Sequence, residues 1–324
     1  MDPRAFCTST RVLIVAGKGG VGKTTVSAVL ARMAGLAGLS PLLVELEGRS
    51  GITALFGREG ALGYAETVLS PADEPPGARA VRARTLTPDD ALVEYLDDHG
   101  MRRISKRLTR VGLVDVVATA VPGIKDILVL GKVKQLERDR VADVIIVDAP
   151  AAGHAITFLQ SARGLLDAVR VGPIRSQAQE VVELLSDPER TQVVLVTLPE
   201  ETPVNELVET AYALEDRVGV KLGPVVVNGL YPAIAGLDTD PDDAARAIGA
   251  TLATGESEAL REAAAFRGRR IELQTAQIGR LADALPLPQL HLPFLFTNRI
   301  APTELDQLTG AMAEEIAALG EAHR

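Results

Sequence analysis

The chain has 324 residues, of which 47% are hydrophobic, 3% aromatic and none Trp. That is enough apolar material for a sizeable core, and the core must be aliphatic, as in parallel strands covered by helices. A formal net charge of −9 argues against a broad electrostatic footprint for nucleic acid, and one cysteine, Cys7, rules out an intrachain disulfide framework, a CxxC redox pair or a cysteine metal cage within one chain.

In chain order, Arg11–Ala16 is a short apolar run ending in a Gly-rich turn, and Val21–Leu39 carries apolar residues at helical spacing. Pro41–Glu47 reads as a second strand, followed by a turn at Gly48 and Gly51. Ser70–Gly77 is a surface loop, and Arg79–Thr85 is a candidate edge strand. From Thr87 to Glu137 the pattern is helical, with Thr87 as N-cap and Pro88 at the first helical position. Val121-Pro122-Gly123 interrupts this helical stretch. The basic run from Arg102 to Arg110 reads first as a solvated helix face, with a docking patch for an acidic partner as the alternative.

Asp143–Asp148 is a buried apolar strand with an acid at each end, and Thr191–Leu198 and Gly223–Asn228 are of the same type. A helix, Pro203–Val218, joins the last two. Asp240–Ala284 is helical with a break, Pro286–Phe296 holds a last strand, and Thr303–Leu319 is a closing helix. Alternating strands and helices predict an α/β fold: a doubly wound, mostly parallel sheet. No internal repeat or low-complexity linker divides it, so residues 1–324 are expected to form one domain, with helical insertions at about 87–137 and 156–187. No apolar stretch reads as a signal peptide or a membrane span, and cytoplasmic residence is the expectation.

The chemistry concentrates at the first turn. Gly17, Gly22, Lys23 and Thr24 satisfy G-x-x-x-x-G-K-[ST], between an apolar strand and an opening helix. Gly17, Lys18, Gly19, Gly20, Val21, Gly22, Lys23, Thr24 and Thr25 are therefore expected to wrap a triphosphate. Backbone N–H groups face its oxygens, Lys23 neutralises charge, the Thr24 hydroxyl ligates Mg²⁺ and Thr25 reaches the α-phosphate. ATP and Mg²⁺ are the expected ligands. Lys18, directly after the first glycine, marks the deviant form of the loop. It is expected to act as a lysine counterpart of an arginine finger, carried across a dimer interface to a partner's phosphates.

Three strand ends add further candidates. Glu45 and Glu47 alternate with apolar residues and so share a face at the carboxyl edge of the second strand. Glu47 is the better candidate for orienting the attacking water, with Glu45 contributing to the surroundings of Mg²⁺. Asp148, at the end of its apolar strand, fits a carboxylate holding the same ion. Gly153, just beyond, is a candidate for a γ-phosphate contact and a hinge, and Asn228 is a candidate for the adenine edge.

With these residues in view the sequence resembles the ArsA-type ATPases, a family that includes the arsenite-pump ATPase and the Get-pathway ATPase. The resemblance covers most of the chain and rests on GKGGVGKTT at Gly17–Thr25, VPGIKD at Val121–Asp126, VDAPAAGH at Val147–His154, the run Thr197–Thr210 and VVVNGL at Val225–Leu230. An actinobacterial subgroup, with V-E-x-E-G-R in place of the usual aspartate-proline switch, is the nearest match. The resemblance implies a P-loop NTPase of the deviant Walker A, SIMIBI type. It implies a homodimer, or a heterodimer with a paralogue, holding ATP at its interface and coupling hydrolysis to conformational change on a protein client or a membrane partner. Lys18 would be the intersubunit lysine and Glu47 would stand where the family has its water-orienting aspartate. The CxxC zinc clasp and metalloid cysteines of relatives are missing, and with four Met a Met-lined cargo groove has little support. The competing readings are a cell-division or partition-type spatial organiser, disfavoured by the acidic C-terminal helix, and a P-loop kinase with a small-molecule acceptor.

Overall fold

A computed structural model describes residues 1–46, 51–98, 100, 123–170 and 172–321. Among these, nine strands form a single sheet, β1 (Val12–Gly17), β2 (Pro41–Leu46), β3 (Thr67–Ser70), β4 (Val81–Leu86), β5 (Val144–Ala151), β6 (Thr191–Thr197), β7 (Lys221–Leu222), β8 (Val225–Leu230) and β9 (Gln289–Pro293). The order is β3-β4-β2-β5-β1-β6-β8-β9, with β7 paired to β6. All pairings are parallel except β3 with β4. The expected strand at Arg79–Thr85 is β4, but it is not the edge. The short antiparallel β3 covers it, and at four residues, two of them exposed, β3 carries too little periodic signal to be read from the sequence.

Each central strand is apolar on both faces. In β1, Val12, Ile14 and Ala16 enter one core while Leu13 and Val15 enter the other. In β5 the same alternation sends Ile145 and Val147 one way and Val144 and Ile146 the other. The period-2 geometry of a strand makes this division automatic, and helices must then cover both sides.

On one face lie α2 (Lys23–Leu36) and the closing helix α11 (Pro302–Glu321), with the short α1 (Pro3–Cys7) against them. On the other lie α5 (Ile124–Arg138), α6 (Ala152–Ala168), α7 (Pro173–Ser186) and α8 (Glu201–Ala213), which runs into a π-helical turn at Leu214–Val218. Between β2 and β3 sits α3 (Ile52–Leu55), and α4 (Pro88–Asp98) follows β4. Thr87 caps α4 as expected, its Oγ1 accepting the Asp90 N–H at 3.2 Å. The break expected within 240–284 separates α9 (Pro241–Ala247) from the 29-residue α10 (Glu256–Ala284). The basic run Arg102–Arg110 and the Val121-Pro122 dipeptide lie outside the described residues.

Strand β1 is flanked by β5 on one side and β6 on the other. Chain progression reverses there, which makes the carboxyl end of β1 the sheet's topological switch point, where open α/β folds bind ligands.

Candidate functional site

The loop leaving β1 enters α2 at this switch point, so the first turn of α2 directs unsatisfied backbone N–H groups into the crevice. Two glycines are fixed by close approach. A Cβ on Gly17 would lie 2.3 Å from the Val196 carbonyl oxygen of β6, and one on Gly22 would lie 2.2 Å from Asn228 Nδ2. Gly22 also has a left-handed φ of 95°, costly for any residue with a Cβ. Lys18, Gly19 and Gly20 face solvent while Val21 anchors the loop in the core.

The polar groups converge beneath the loop. Thr24 Oγ1 donates to Asp148 Oδ2 at 2.7 Å, and Ser27 Oγ donates to Asp148 Oδ1 at 3.2 Å. Thr24 and Ser27 are three residues apart in α2 and so share the helix face that meets β5. Burial pushes the Asp148 carboxyl above its ordinary range; the two hydroxyls and Lys23 pull it back, and the neighbouring Glu45 adds to the rise. Glu45 stands in register with Asp148 on one side and Thr85 on the other. It is 3% exposed, and its Oε2 accepts from Thr85 Oγ1 at 2.7 Å.

The two loop lysines are already engaged. Lys23 Nζ donates to the Lys18 carbonyl at 3.0 Å, and burial, partly offset by Asp148, lowers its pKa. Lys18 Nζ is ion-paired with Glu206 on α8 of the same chain. Thr25 is half-buried in the first turn of α2, and Gly153 lies in the first turn of α6, directly after β5. Glu47 lies outside the described residues.

Asn228 does more than the sequence suggested. Its Nδ2 donates to the Val21 carbonyl at 2.9 Å, so the amide braces the phosphate loop from β8. Close to it, Tyr231, Phe294 and Phe296 form an aromatic cluster with centroids 4.9–5.4 Å apart, and Arg267 lies over two of the rings. That cluster, Ser27, Thr85 and Glu206 were all missed by motif reading. Ser27 could have been found from its i+3 spacing to Thr24. The partners of the others come from distant parts of the chain.

A glycine loop, a half-buried lysine and a hydroxyl–carboxylate pair at the switch point of a parallel sheet define a phosphate-loop nucleotide-binding protein. The comparisons with known proteins narrow the class. Residues 10–170 match the family described as anion-transporting ATPase. The chain is 32% identical over 331 residues to the ATPase BagA of Mycobacterium tuberculosis, covering 95% of this chain and 94% of the relative. It is 28% identical to an arsenical pump-driving ATPase of Escherichia coli, over 76% of this chain and 43% of that protein. It is also 28% identical to the ATPase get3 of Schizosaccharomyces japonicus, over 47% of this chain and 44% of that protein. The chain belongs to the ArsA-type, anion-transporting ATPase family and is an ATP-hydrolysing enzyme. No helix among the described residues is long and apolar enough to cross a membrane.

Proposed function

We propose that the protein is a nucleotide-switch ATPase in which two chains, identical or paralogous, enclose ATP at their interface and use its hydrolysis to change shape against a protein or membrane partner. The 324 residues act as one domain in this reading, in the cytoplasm or peripherally at a membrane. The observation that carries it is the convergence, at the carboxyl end of β1, of Lys23, Thr24 and Asp148 around a glycine loop.

The donor set suits Mg²⁺. Among the described residues no group of three or more His, Cys, Asp or Glu could hold a metal by itself. A hydroxyl, a carboxylate and a nearby second carboxylate are nonetheless hard oxygen donors of the kind that share Mg²⁺ with substrate phosphates. Thr24 and Asp148 would hold the ion, with Glu45 bearing on Asp148 from the neighbouring strand. When bound, Mg²⁺ supplies charge neutralisation at the phosphates.

The chain's own residues do the remainder. Lys23 exchanges the Lys18 carbonyl for phosphate oxygens, and its partial burial makes each such contact stronger than it would be in water. The amides of Gly19–Thr25 and of Gly153 face the anion. Thr25 reaches the α-phosphate. Asn228 holds the loop through Val21 and turns its carbonyl oxygen toward the adenine. Glu47 orients the attacking water, and Lys18 of one chain offsets charge on the phosphoryl group held by the other.

Phosphate release measured against protein concentration tests the reading. Turnover per chain should rise as chains associate and should require Mg²⁺. Lys18→Ala should abolish hydrolysis and spare most ATP binding, whereas Asp148→Asn should abolish hydrolysis at its own site. An equimolar mixture of these two variants, pairing at random, should recover about a quarter of wild-type turnover, because a mixed pair has one intact site. Normal turnover by Lys18→Ala, or no recovery on mixing, overturns the shared site.

A further inference from the structure

The signature lysine of the phosphate loop does not wait free in solvent. Lys18 Nζ is ion-paired with Glu206 Oε1, 188 residues away in sequence on α8. The pair sits at the same sheet edge as the loop, because α8 follows β6 and β6 is the neighbour of β1. Glu206 makes no other side-chain hydrogen bond among the described residues. Its second carboxylate oxygen is buried and unpartnered, so the side chain caps no helix and ties down no strand. Among the described residues, the Glu206 carboxylate therefore serves Lys18 alone.

Lys18 is also coupled to Lys23. The Lys18 carbonyl accepts the Lys23 ammonium at 3.0 Å, so both loop cations rest on acceptors from this chain: Lys23 on Lys18, Lys18 on Glu206. A triphosphate that draws Lys23 onto its oxygens removes the bond to the Lys18 carbonyl and frees that peptide to shift. Among the described residues, the one remaining restraint on the Lys18 side chain is then the carboxylate of Glu206.

We propose that Glu206 is a positioning residue for ATP hydrolysis: a carboxylate that holds Lys18 against its own chain until bound nucleotide and a second chain offer phosphate oxygens instead. The inference rests on the reading that Lys18 acts on a partner's phosphates. It adds a threshold to that step. The threshold is low by design of the geometry, since the Lys18 and Glu206 side chains are 45% and 37% exposed, and half-exposed ion pairs are weak and screened by salt. Glu206 thus tunes the association of chains over a small factor and does not forbid it.

Sedimentation velocity with a non-hydrolysable ATP analogue and Mg²⁺ reads this directly. Glu206→Gln keeps the shape and removes the charge, and should tighten nucleotide-dependent association by about two- to fivefold at low salt. The gain should shrink as salt is raised. Glu206→Asp, which keeps the charge on a shorter side chain, should fall between wild type and Glu206→Gln. In a Lys18→Ala background, Glu206→Gln should change nothing, whereas a merely structural role would persist there. Association no tighter in Glu206→Gln and Glu206→Asp, or equally tighter with and without Lys18, overturns the proposal. The two failures are separable. If wild-type chains associate with nucleotide and Lys18→Ala is inactive while Glu206→Gln behaves as wild type, only the role of Glu206 is lost. If Lys18→Ala hydrolyses ATP normally, the intersubunit lysine fails and Glu206 has nothing to restrain.

Discussion

The centre of the sheet and the long helix α10 are held by different physics. Strands β1, β5 and β6 are apolar on both faces, and the acids buried at this centre have hydroxyl partners, Asp148 of β5 in Thr24 and Ser27 and Glu45 of the adjacent β2 in Thr85. Along the 29 residues of α10 only Gln274 and Leu281 are buried, while Phe266 and Leu273 stay in solvent. What fastens α10 is largely polar: Arg270 to Glu200, Gln274 to the Gly229 carbonyl and the Tyr231 amide, and Arg261 to Asp240 and Asp242. Precision is stored where packing is close. A nucleotide site needs groups held to within a fraction of an ångström, and only the close-packed centre supplies that.

The largest expected effect is at the site itself. Lys23→Ala should weaken ATP binding by at least about 10³-fold, roughly 4 kcal/mol, measured by titration with a fluorescent analogue. Beneath it, Ile146→Ala in the middle of β5, where the side chain is fully buried, should cost about 3 kcal/mol in denaturant unfolding, transfer and cavity costs together. A loss under about 1 kcal/mol would mean that the centre is not close-packed. Thr85→Val keeps the shape and removes one donor to the buried Glu45, and should cost about 1–2 kcal/mol and lower turnover, with the Glu45 carboxylate less firmly oriented beside Asp148.

Asp148, at the same centre, should oppose stability instead of adding to it. Its folded pKa lies above its unfolded value because burial outweighs the hydroxyls and Lys23. In the window just above the ordinary aspartate range, the folded chain therefore binds more protons than the unfolded one. Stability without nucleotide should fall as pH rises through that window, and the loss persists at neutral pH. Asp148→Asn should then abolish turnover yet raise the melting temperature of the nucleotide-free chain by about 1–2 °C at pH 7, and the gain should vanish near pH 3.5. A melting temperature lower than wild type at pH 7 would show Asp148 to be a net stabiliser.

The same contrast decides what was legible in the sequence. The central strands announce themselves because burial on both faces writes uninterrupted apolar runs, and the phosphate loop does so because Gly17 is fixed by the Val196 carbonyl and Gly22 by its left-handed φ and the Asn228 amide. Strand β3 was missed because a four-residue edge strand has too few positions to show a period. Asn228 was legible as a strand-end amide, but its bond to Val21 spans 207 residues and leaves no local pattern. Glu206 was hidden in the same way. It stands in a helix rich in acids, and only the packing of α8 on β6, the neighbour of β1, singles it out. Local geometry could be read; side-chain pairings across the sheet could not.

The smallest effect belongs to the arm that α9 and α10 form. Arg261 pairs with Asp240 and Asp242, and the Asp240 side chain also accepts the Asp242 and Asp243 N–H groups that open α9. This polar cluster links the starts of α9 and α10. The arginine nevertheless stands in solvent, where a lost partner is replaced by water and salt screens what remains. Asp240 keeps its two backbone contacts without it. Arg261→Ala should leave the melting temperature within about 1 °C of wild type and leave ATP turnover unchanged, by thermal unfolding and phosphate release. A drop of several degrees would mean that α9 and α10 share cooperative stability with the sheet, and the division drawn between centre and arm would have to be abandoned.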